Sequence, residues 1–327
     1  MKLIKSTSTE AFLSYDLHPD LGLFDAHQII QDKVDLQLIC VSNEQIIGFC
    51  SLWWSDTANY LDKTAGNIGH YRVLNQKVSD LLLNSACELL KQHGCDWVIG
   101  PLDGCSWRSY RFVTQKGHTR PPFLFEPWQA DEWVDYWRGC GFNTLATYYS
   151  YYFNNFDVEL PPKVLKAQQR LQHIQLRSMN VYQDDLTLLY EMAKQSFKAN
   201  FLYTELTLDD FLHLYVPLEK YLDKDLFLIA EDQGQAVGFL LGIPDALQLN
   251  YQQNISTVLL KTFAQIPQRK YLGLGTLMGV EFNQRVLDKG YQDTIHALIY
   301  AKNNSLNLSR HTGATRMRSY ELLYRSV

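Results

Sequence analysis

The chain lacks the features that would place it in several large functional classes. No apolar run approaches the roughly 18 residues of a membrane-spanning helix, and Met1 to Ser8 carry no apolar core of a secretory leader. A formal net charge of −5 gives no electrostatic ground for binding nucleic acid or an anionic membrane. Cysteines are few and one-sided: Cys40, Cys50, Cys87, Cys95, Cys105 and Cys140 all lie in the first 140 residues. They form no Cys-x-x-Cys pair and have no histidine at zinc-ligand spacing, so no metal is expected. In a reducing compartment they read as small buried hydrophobes. These absences lead us to expect a cytoplasmic protein with neither nucleic acid nor membrane as partner. The three-glycine dinucleotide fingerprint and the P-loop, with its Gly-Lys-Ser/Thr, are also missing.

What is present suits a well-packed globular chain, with 46% hydrophobic and 13% aromatic residues. At 327 residues it exceeds the size at which single cores stop growing, so two domains are expected. An internal repeat supports the division. Leu36-Gln-Leu-Ile39, a polar turn at Asn43, and Ile46-Ile-Gly-Phe49 predict a β-hairpin. Leu226-Phe-Leu-Ile229, a turn at Gly234, and Ala236-Val-Gly-Phe239 predict the same hairpin 190 positions later. Trp137-Arg-Gly-Cys-Gly141-Phe142 leading to Tyr148 matches Ser309-Arg-His-Thr-Gly313-Ala314 leading to Tyr320, at an offset of 172. The turn-rich stretch after Phe153, with Asn154, Asn155, Pro161 and Pro162, places the boundary between domains 1–157 and 158–327. Val164 to Leu171 then reads as a linker helix, and Asp184-Asp185 as a helix start.

The densest signal is Gln265-Ile-Pro-Gln-Arg-Lys270-Tyr-Leu-Gly273-Leu-Gly275-Thr276, between an apolar run (Val258 to Phe263) and an amphipathic helix pattern. Glycines allow a tight turn and close backbone approach. The helix that follows directs free N–H groups and its positive dipole end at the turn, a cradle for phosphate. A strand–turn–helix connection with glycines serving geometry alone is the plain alternative.

Written as Lys270-x-x-Gly273-x-Gly275, this turn resembles the Gln/Arg-x-x-Gly-x-Gly/Ala loop of the GNAT superfamily of N-acyltransferases, with Lys270 keeping the positive charge. The order of strands and helices in the second half resembles that family too, as does Ile295-His296 to Tyr300 followed by Asn303-Asn304-Ser305. The resemblance implies an α/β fold (α+β mixed sheet) of two GNAT-like domains in tandem, the N-terminal one degenerate. It implies acetyl-CoA as co-substrate, with its pyrophosphate on Lys270, Tyr271, Leu272, Gly273, Leu274, Gly275 and Thr276. The backbone of Phe263, Ala264 and Gln265 would pair with the pantetheine amides as an added strand does. Asn303, with Asn304 one register away, would bond the pantetheine arm.

The first half departs from the family where it matters, having Gly69-His-Tyr-Arg72 in place of a Gly-x-Gly. Its Ile99-Gly-Pro101…Ser106 and Pro121-Pro122 blocks resemble two-domain acetyltransferase-like proteins. Either that half is kept for architecture, or Trp107, Tyr110, Arg111 and Glu126 form a substrate-binding surface, with Arg111 clamping a carboxylate or phosphate.

Acyl transfer to an amine needs a base, oxyanion stabilisation and an acid for the leaving thiolate. The tyrosine that commonly serves as acid in the family is absent, its place taken by Ser309. Tyr320 is the preferred substitute, with Tyr300 and Tyr324 nearby. Glu231 is the preferred base and Asp245 an alternative, while His296 reads as cleft-facing or as a core histidine. The implied activity is direct acetyl transfer to a primary amine of a small molecule or peptide. The other reading is a non-catalytic acyl-CoA-binding or sensing protein with the same fold. Neither settles the acceptor, and a homodimer is left open.

Overall fold

The computed structural model describes all residues except His118, 157–161, 304–305 and 307–312. The first half contains β1 (Lys2–Ser6), α1 (Glu10–Leu13), β2 (Asp16–Leu17), α2 (His27–Gln31), β3 (Leu36–Ser42), β4 (Gln45–Trp53) and β5 (Ala65–Val73). It continues through α3 (Gln76–Gln92), β6 (Trp97–Gly100), β7 (Phe112–Gln115), α4 (Glu132–Gly139) and β8 (Asn143–Phe153). The second half contains α5 (Pro162–Arg170), β9 (Gln175–Ser178), α6 (Tyr182–Phe197), α7 (Leu208–Tyr215), β10 (Phe227–Asp232), β11 (Gln235–Pro244) and β12 (Thr257–Gln265). It ends with α8 (Leu274–Asp288), β13 (Asp293–Tyr300) and β14 (Thr315–Ser326).

Both expected hairpins form, β3–β4 and β10–β11, in antiparallel register. Their two-residue turns put Asn43 and Glu44, and Gln233 and Gly234, at positive φ. That geometry matches the right-handed twist of paired strands. Helix α3 buries Val78, Leu82, Ala86 and Leu90 against Leu38, Leu52, Ile68 and Val98. On the other half, α8 buries Leu274, Met278, Phe282 and Val286 against Leu228, Leu240 and Val258. Helices α6 and α7 pack on the opposite face, where Leu189, Phe211 and Tyr215 meet Phe239, Leu241 and Ala264.

The strands join in one mixed sheet, in the order β1-β3-β4-β5-β6-β14-β8-β13-β12-β11-β10-β9. The last strands of the halves are interleaved: β14 lies between β6 and β8, and β8 lies between β14 and β13. Tyr148 and Tyr320, repeat partners in the sequence, face each other across the antiparallel β8–β14 ladder. Two equivalent strands meeting at equivalent residues generate a local two-fold relation between the halves. Each half completes the sheet of the other, and no cut of the chain separates the strands into two self-contained sets. The expected boundary at 157 itself falls outside the described residues.

The helix start expected at Asp184-Asp185 lies earlier, at Tyr182. Asp185 does not cap. It holds Arg177 at 2.8 Å and accepts from the Asn180 amide at 2.7 Å.

Candidate functional site

Strands β12 and β13 run parallel but pair over only four positions, from Thr257↔Asp293 to Leu260↔His296. Beyond Leu260, β12 continues to Gln265 bonded to β11 alone, and β13 continues to Tyr300 bonded to β8 alone. The facing edges of 261–265 and 297–300 therefore have no ladder between them. The opening has local causes. Lys261 is the extra residue of a bulge, since Leu241 pairs with Thr262 and Gly242 with Leu260. Bulges bend a strand and increase its twist. On β13 the register jumps between His296 and Ile299, and Leu298 lies at φ 58°. The Leu298 N–H turns instead to Ser150 Oγ on β8, at 3.0 Å.

At the mouth of this gap, the glycine turn starts α8. Gly273 caps it at φ 91°, a left-handed conformation, with no side-chain cap. Gln265 Oε1 accepts from the Gly275 N–H at 3.0 Å, so an oxygen acceptor already sits at this helix start. A Cβ at Gly275 would enter the Phe263 ring, and one at Gly273 would meet Ala167 of α5 at 2.9 Å. Arg170, also on α5, donates to the Leu272 carbonyl. The linker helix thus brings a cation to the turn, which spacing along the chain does not reveal.

The expected pyrophosphate residues are therefore brought together, with one change of role. Lys270 is exposed and paired with Asp232 at 3.1 Å, and Tyr271 donates to the same carboxylate at 2.8 Å. Its charge is largely compensated, so backbone amides and Arg170 are better placed to meet an anion. Leu272 is exposed and Thr276 half-buried beside them. Phe263 and Gln265 are half-buried and Ala264 buried on the β12 edge of the gap. Asn303 follows β13 and is exposed. Asn304 and Ser309 lie outside the described residues.

The proposed chemistry residues are separated. Glu231 stands beyond two strands from β12, near the β10–β11 turn, bound to Arg177 Nε at 2.7 Å. Tyr320 has no exposed surface. Its hydroxyl donates to Glu126 and lies 3.0 Å from Ser150 Oγ. Burial, then the Glu126 carboxylate, pushes its pKa up. Enclosed in this way it presents no surface to solvent, which contrasts with the role of acid expected for it. Glu126, expected on a substrate surface, is also wholly enclosed, 2.6 Å from Arg318 Nη1. Burial outweighs Arg318 and raises Glu126 to about 7. Asp245 is buried and accepts from the Leu124 amide at 2.9 Å. His296 is a core histidine, depressed to about 4 by burial.

The loop 101–111 of the first half closes over the other end of the gap. Trp107 packs on Phe197, Tyr203 and Phe211 and donates to the Thr204 carbonyl at 2.9 Å, so it fixes the two halves together. Tyr110 lies under Arg111, whose guanidinium carbon is 3.7 Å from that ring and 4.2 Å from the Tyr148 ring. Arg111 Nη1 donates to the Leu298 carbonyl at 3.0 Å, on the splayed part of β13. Lys261 completes this end, with its ammonium 5.6 Å from the Tyr215 ring and 5.8 Å from the Phe125 ring. Burial, then Arg111, lowers Lys261 to about 8. Sequence reading passed over Lys261, although a lysine inside the apolar run Val258 to Phe263 was a visible signal.

The first half also has a bulge on its third main strand, β5, close to but not at the corresponding position, and its polar groups are filled from within. Strands β5 and β6 pair over three positions, from Ala65↔Trp97 to Asn67↔Ile99. His70, at φ 46°, stands in the β5 bulge opposite β4. Its Nδ1 is 2.8 Å from Ser51 Oγ, its Nε2 is 3.0 Å from Asp32, and its amide donates to Asp103 at 2.7 Å. Helix α3 is capped by its own Asn75, whose side chain accepts from the Val78 amide at 3.2 Å. Among the described residues the first half keeps no open helix start or open strand edge comparable to that of the second half.

Five cysteines are buried and Cys140 is partly so, all as free thiols. Among the described residues no three His, Cys, Asp or Glu side chains are grouped to hold a metal, and no helix could span a membrane.

Solved structures share this architecture. The glucosamine N-acetyltransferase region of a fungal multi-domain β-N-acetylglucosaminidase superposes with a TM-score of 0.56 at 14% identity, over 99% of this chain and 38% of that one. A GCN5-related N-acetyltransferase from Anabaena variabilis gives 0.55 at 8% identity, over 99% and 73%. A tandem GNAT protein from clavulanic acid biosynthesis gives 0.50 at 9% identity, over 98% and 92%. Neither a family model nor a curated protein matches the sequence. The chain thus has the GNAT fold, in tandem.

Proposed function

We propose that the protein is an acyl-CoA-dependent N-acyltransferase working through the gap between β12 and β13. The observation that carries this reading is the unladdered edge of β12 over 261–265, leading directly into an α8 start whose cap residue, Gly273, has no side chain. Backbone groups without a ladder partner suit the amides of a pantetheine arm. The amides of the α8 start, with the Gly275 N–H now held by the displaceable Gln265 side chain, the helix dipole and Arg170 suit its pyrophosphate. Acetyl-CoA fits this arrangement, and the bound thioester would supply the acyl group and a thiol leaving group. The amine nitrogen attacks the thioester carbonyl, the carbon–sulfur bond breaks, and the amine proton leaves to solvent or a base. A thiol is a fair leaving group because its pKa lies near 8–9, so burial of Tyr320 does not prevent turnover.

Titration calorimetry with acetyl-CoA tests the reading, with Thr276→Asp as control. A carboxylate in the first turn of α8 favours the helix but repels a phosphate there. We expect the wild type to bind and the variant to bind at least about tenfold more weakly, a cost of roughly 1.4 kcal/mol, with its unfolding midpoint maintained. Equal affinities would remove the glycine turn from the site. Release of free thiol with amines then distinguishes a transferase from a binding protein.

A further inference from the structure

The transferase reading leaves the acceptor open, and the end of the gap opposite the glycine turn bears on it. Arg111 and Lys261 border it from different halves of the chain, Arg111 bonded to the Leu298 carbonyl on β13 and Lys261 standing on the bulge of the facing strand β12. Arg111 is 7% exposed, and Lys261 is half-buried on the β12 bulge. They are close enough for Arg111 to disfavour the charge on Lys261. Neither forms an ion pair among the described residues, although the molecule pairs most of its other enclosed cations. Arg318 has Glu126, Arg120 has Asp293 and Arg108 has Asp32. Two cations held together out of bulk water without an anion are costly, and an anionic ligand would relieve that cost.

The geometry also says what kind of anion fits. Arg111 spends Nε on the Tyr110 carbonyl at 3.2 Å and one Nη1 hydrogen on the Leu298 carbonyl at 3.0 Å. Nη2 and the second Nη1 hydrogen are left, the end-on fork that matches two carboxylate oxygens. Tyr110 and Tyr148, edge to face with their ring planes 85° apart, pack against the guanidinium from two adjacent sides and hold it in place. Lys261 points to the face covered by α7, where its ammonium is ringed by Tyr215 and Phe125. Helix α8 and the glycine turn cover the other face. An acceptor entering from the α7 side would pass these cations before reaching the point where β12 and β13 part.

We propose that Arg111 and Lys261 form a carboxylate clamp at the acceptor end of the gap, so that the acceptor is an amine of amino-acid or peptide type. The clamp rests on the transferase reading for its biological meaning, but its existence can be measured without turnover. Trace labelling of the whole protein with acetic anhydride, read lysine by lysine by mass spectrometry, reports access to Lys261. N-acetylglycine is the carboxylate probe, N-acetylglycinamide its neutral isostere, and inorganic phosphate the alternative anion. Saturating N-acetylglycine is expected to slow labelling of Lys261 roughly tenfold, the scale of a charge-assisted contact. The amide should leave it unchanged, and exposed lysines such as Lys2 should not respond. Arg111→Gln should abolish the protection. The wild-type comparison needs no variant, so it stands even where Arg111→Gln does not fold. Equal effects of acid and amide, no protection by either, or protection by phosphate alone would overturn the clamp. Acetyl-CoA titration of the same sample separates the two ideas. Protection without acetyl-CoA binding sinks the transferase reading and keeps the clamp, and the converse result sinks the clamp alone.

Discussion

Tyr320→Phe separates a structural tyrosine from a catalytic one. The substitution removes a single oxygen and keeps the ring, so it leaves no ring-sized cavity. It deletes the donor to Glu126 and the contact with Ser150 Oγ. Glu126 and Arg318 have no exposed side-chain surface, so water cannot replace the lost donor. A hydrogen bond to a charged group contributes about 1.5–3 kcal/mol, and a neutral one about 1 kcal/mol. Glu126 is raised from 4.5 to about 7 by burial, and the Tyr320 hydroxyl pulls it partly back down. Stability contributed by protonated Glu126 is present below 4.5 and is lost as pH rises through about 7. Removing the hydroxyl raises the carboxyl further and so deepens that loss. Tyr320→Phe should therefore destabilise by about 2–3 kcal/mol near pH 8 and by about 1 kcal/mol near pH 5. Urea unfolding at the two pH values measures both, and calorimetry should find acetyl-CoA affinity unchanged. Unaltered stability at both pH values, together with a collapse of turnover, would refute the packing assignment and return Tyr320 to catalysis.

Two further substitutions follow from the glycine turn and its counterpart. Gly275→Ala should destabilise by about 1–3 kcal/mol, because its Cβ enters the Phe263 ring; an unfolding midpoint like the wild type would mean that the ring moves aside freely. Asn75→Ala should cost about 1 kcal/mol through loss of the α3 cap without changing acetyl-CoA affinity; a weaker complex would place a second ligand site in the first half.

Much of the layout was legible because it is written in local patterns. Hairpin alternation around a polar turn located β3–β4 and β10–β11, and the glycines marked the start of α8. The offset of 172 between Tyr148 and Tyr320 even named two residues that face each other across β8 and β14. What could not be read is long-range partnership. Nothing in Thr315–Ser326 says that it will lie between β6 and β8, because its mixed polar and apolar pattern suits a strand whichever neighbours it takes. Side-chain partnerships are hidden for the same reason: Glu126 and Tyr320 stand out in sequence only singly, and folding makes them one enclosed network with Arg318. The pairing of Lys270 with Asp232, 38 positions away, is likewise a feature that only the fold supplies.

The two halves show how one fold can keep or close a site with few changes. Each has a hairpin, a bulged third strand and a fourth strand that parts from it. In the first half, the bulge carries His70, which finds Asp32, Asp103 and Ser51 within the same half. In the second, the bulge carries Lys261, whose neighbours among the described residues are another cation and aromatic rings. Helix starts differ in the same sense, since Asn75 satisfies α3 while Gly273 leaves α8 to Gln265 and whatever can displace it. An internally satisfied polar group specifies structure, and an unsatisfied one held open by the fold specifies a ligand. The loop that seals the first half is also the loop that carries Arg111 to the gap of the second. On the proposed clamp, the degenerate half is not a spare copy but the wall that supplies one cation of the acceptor end.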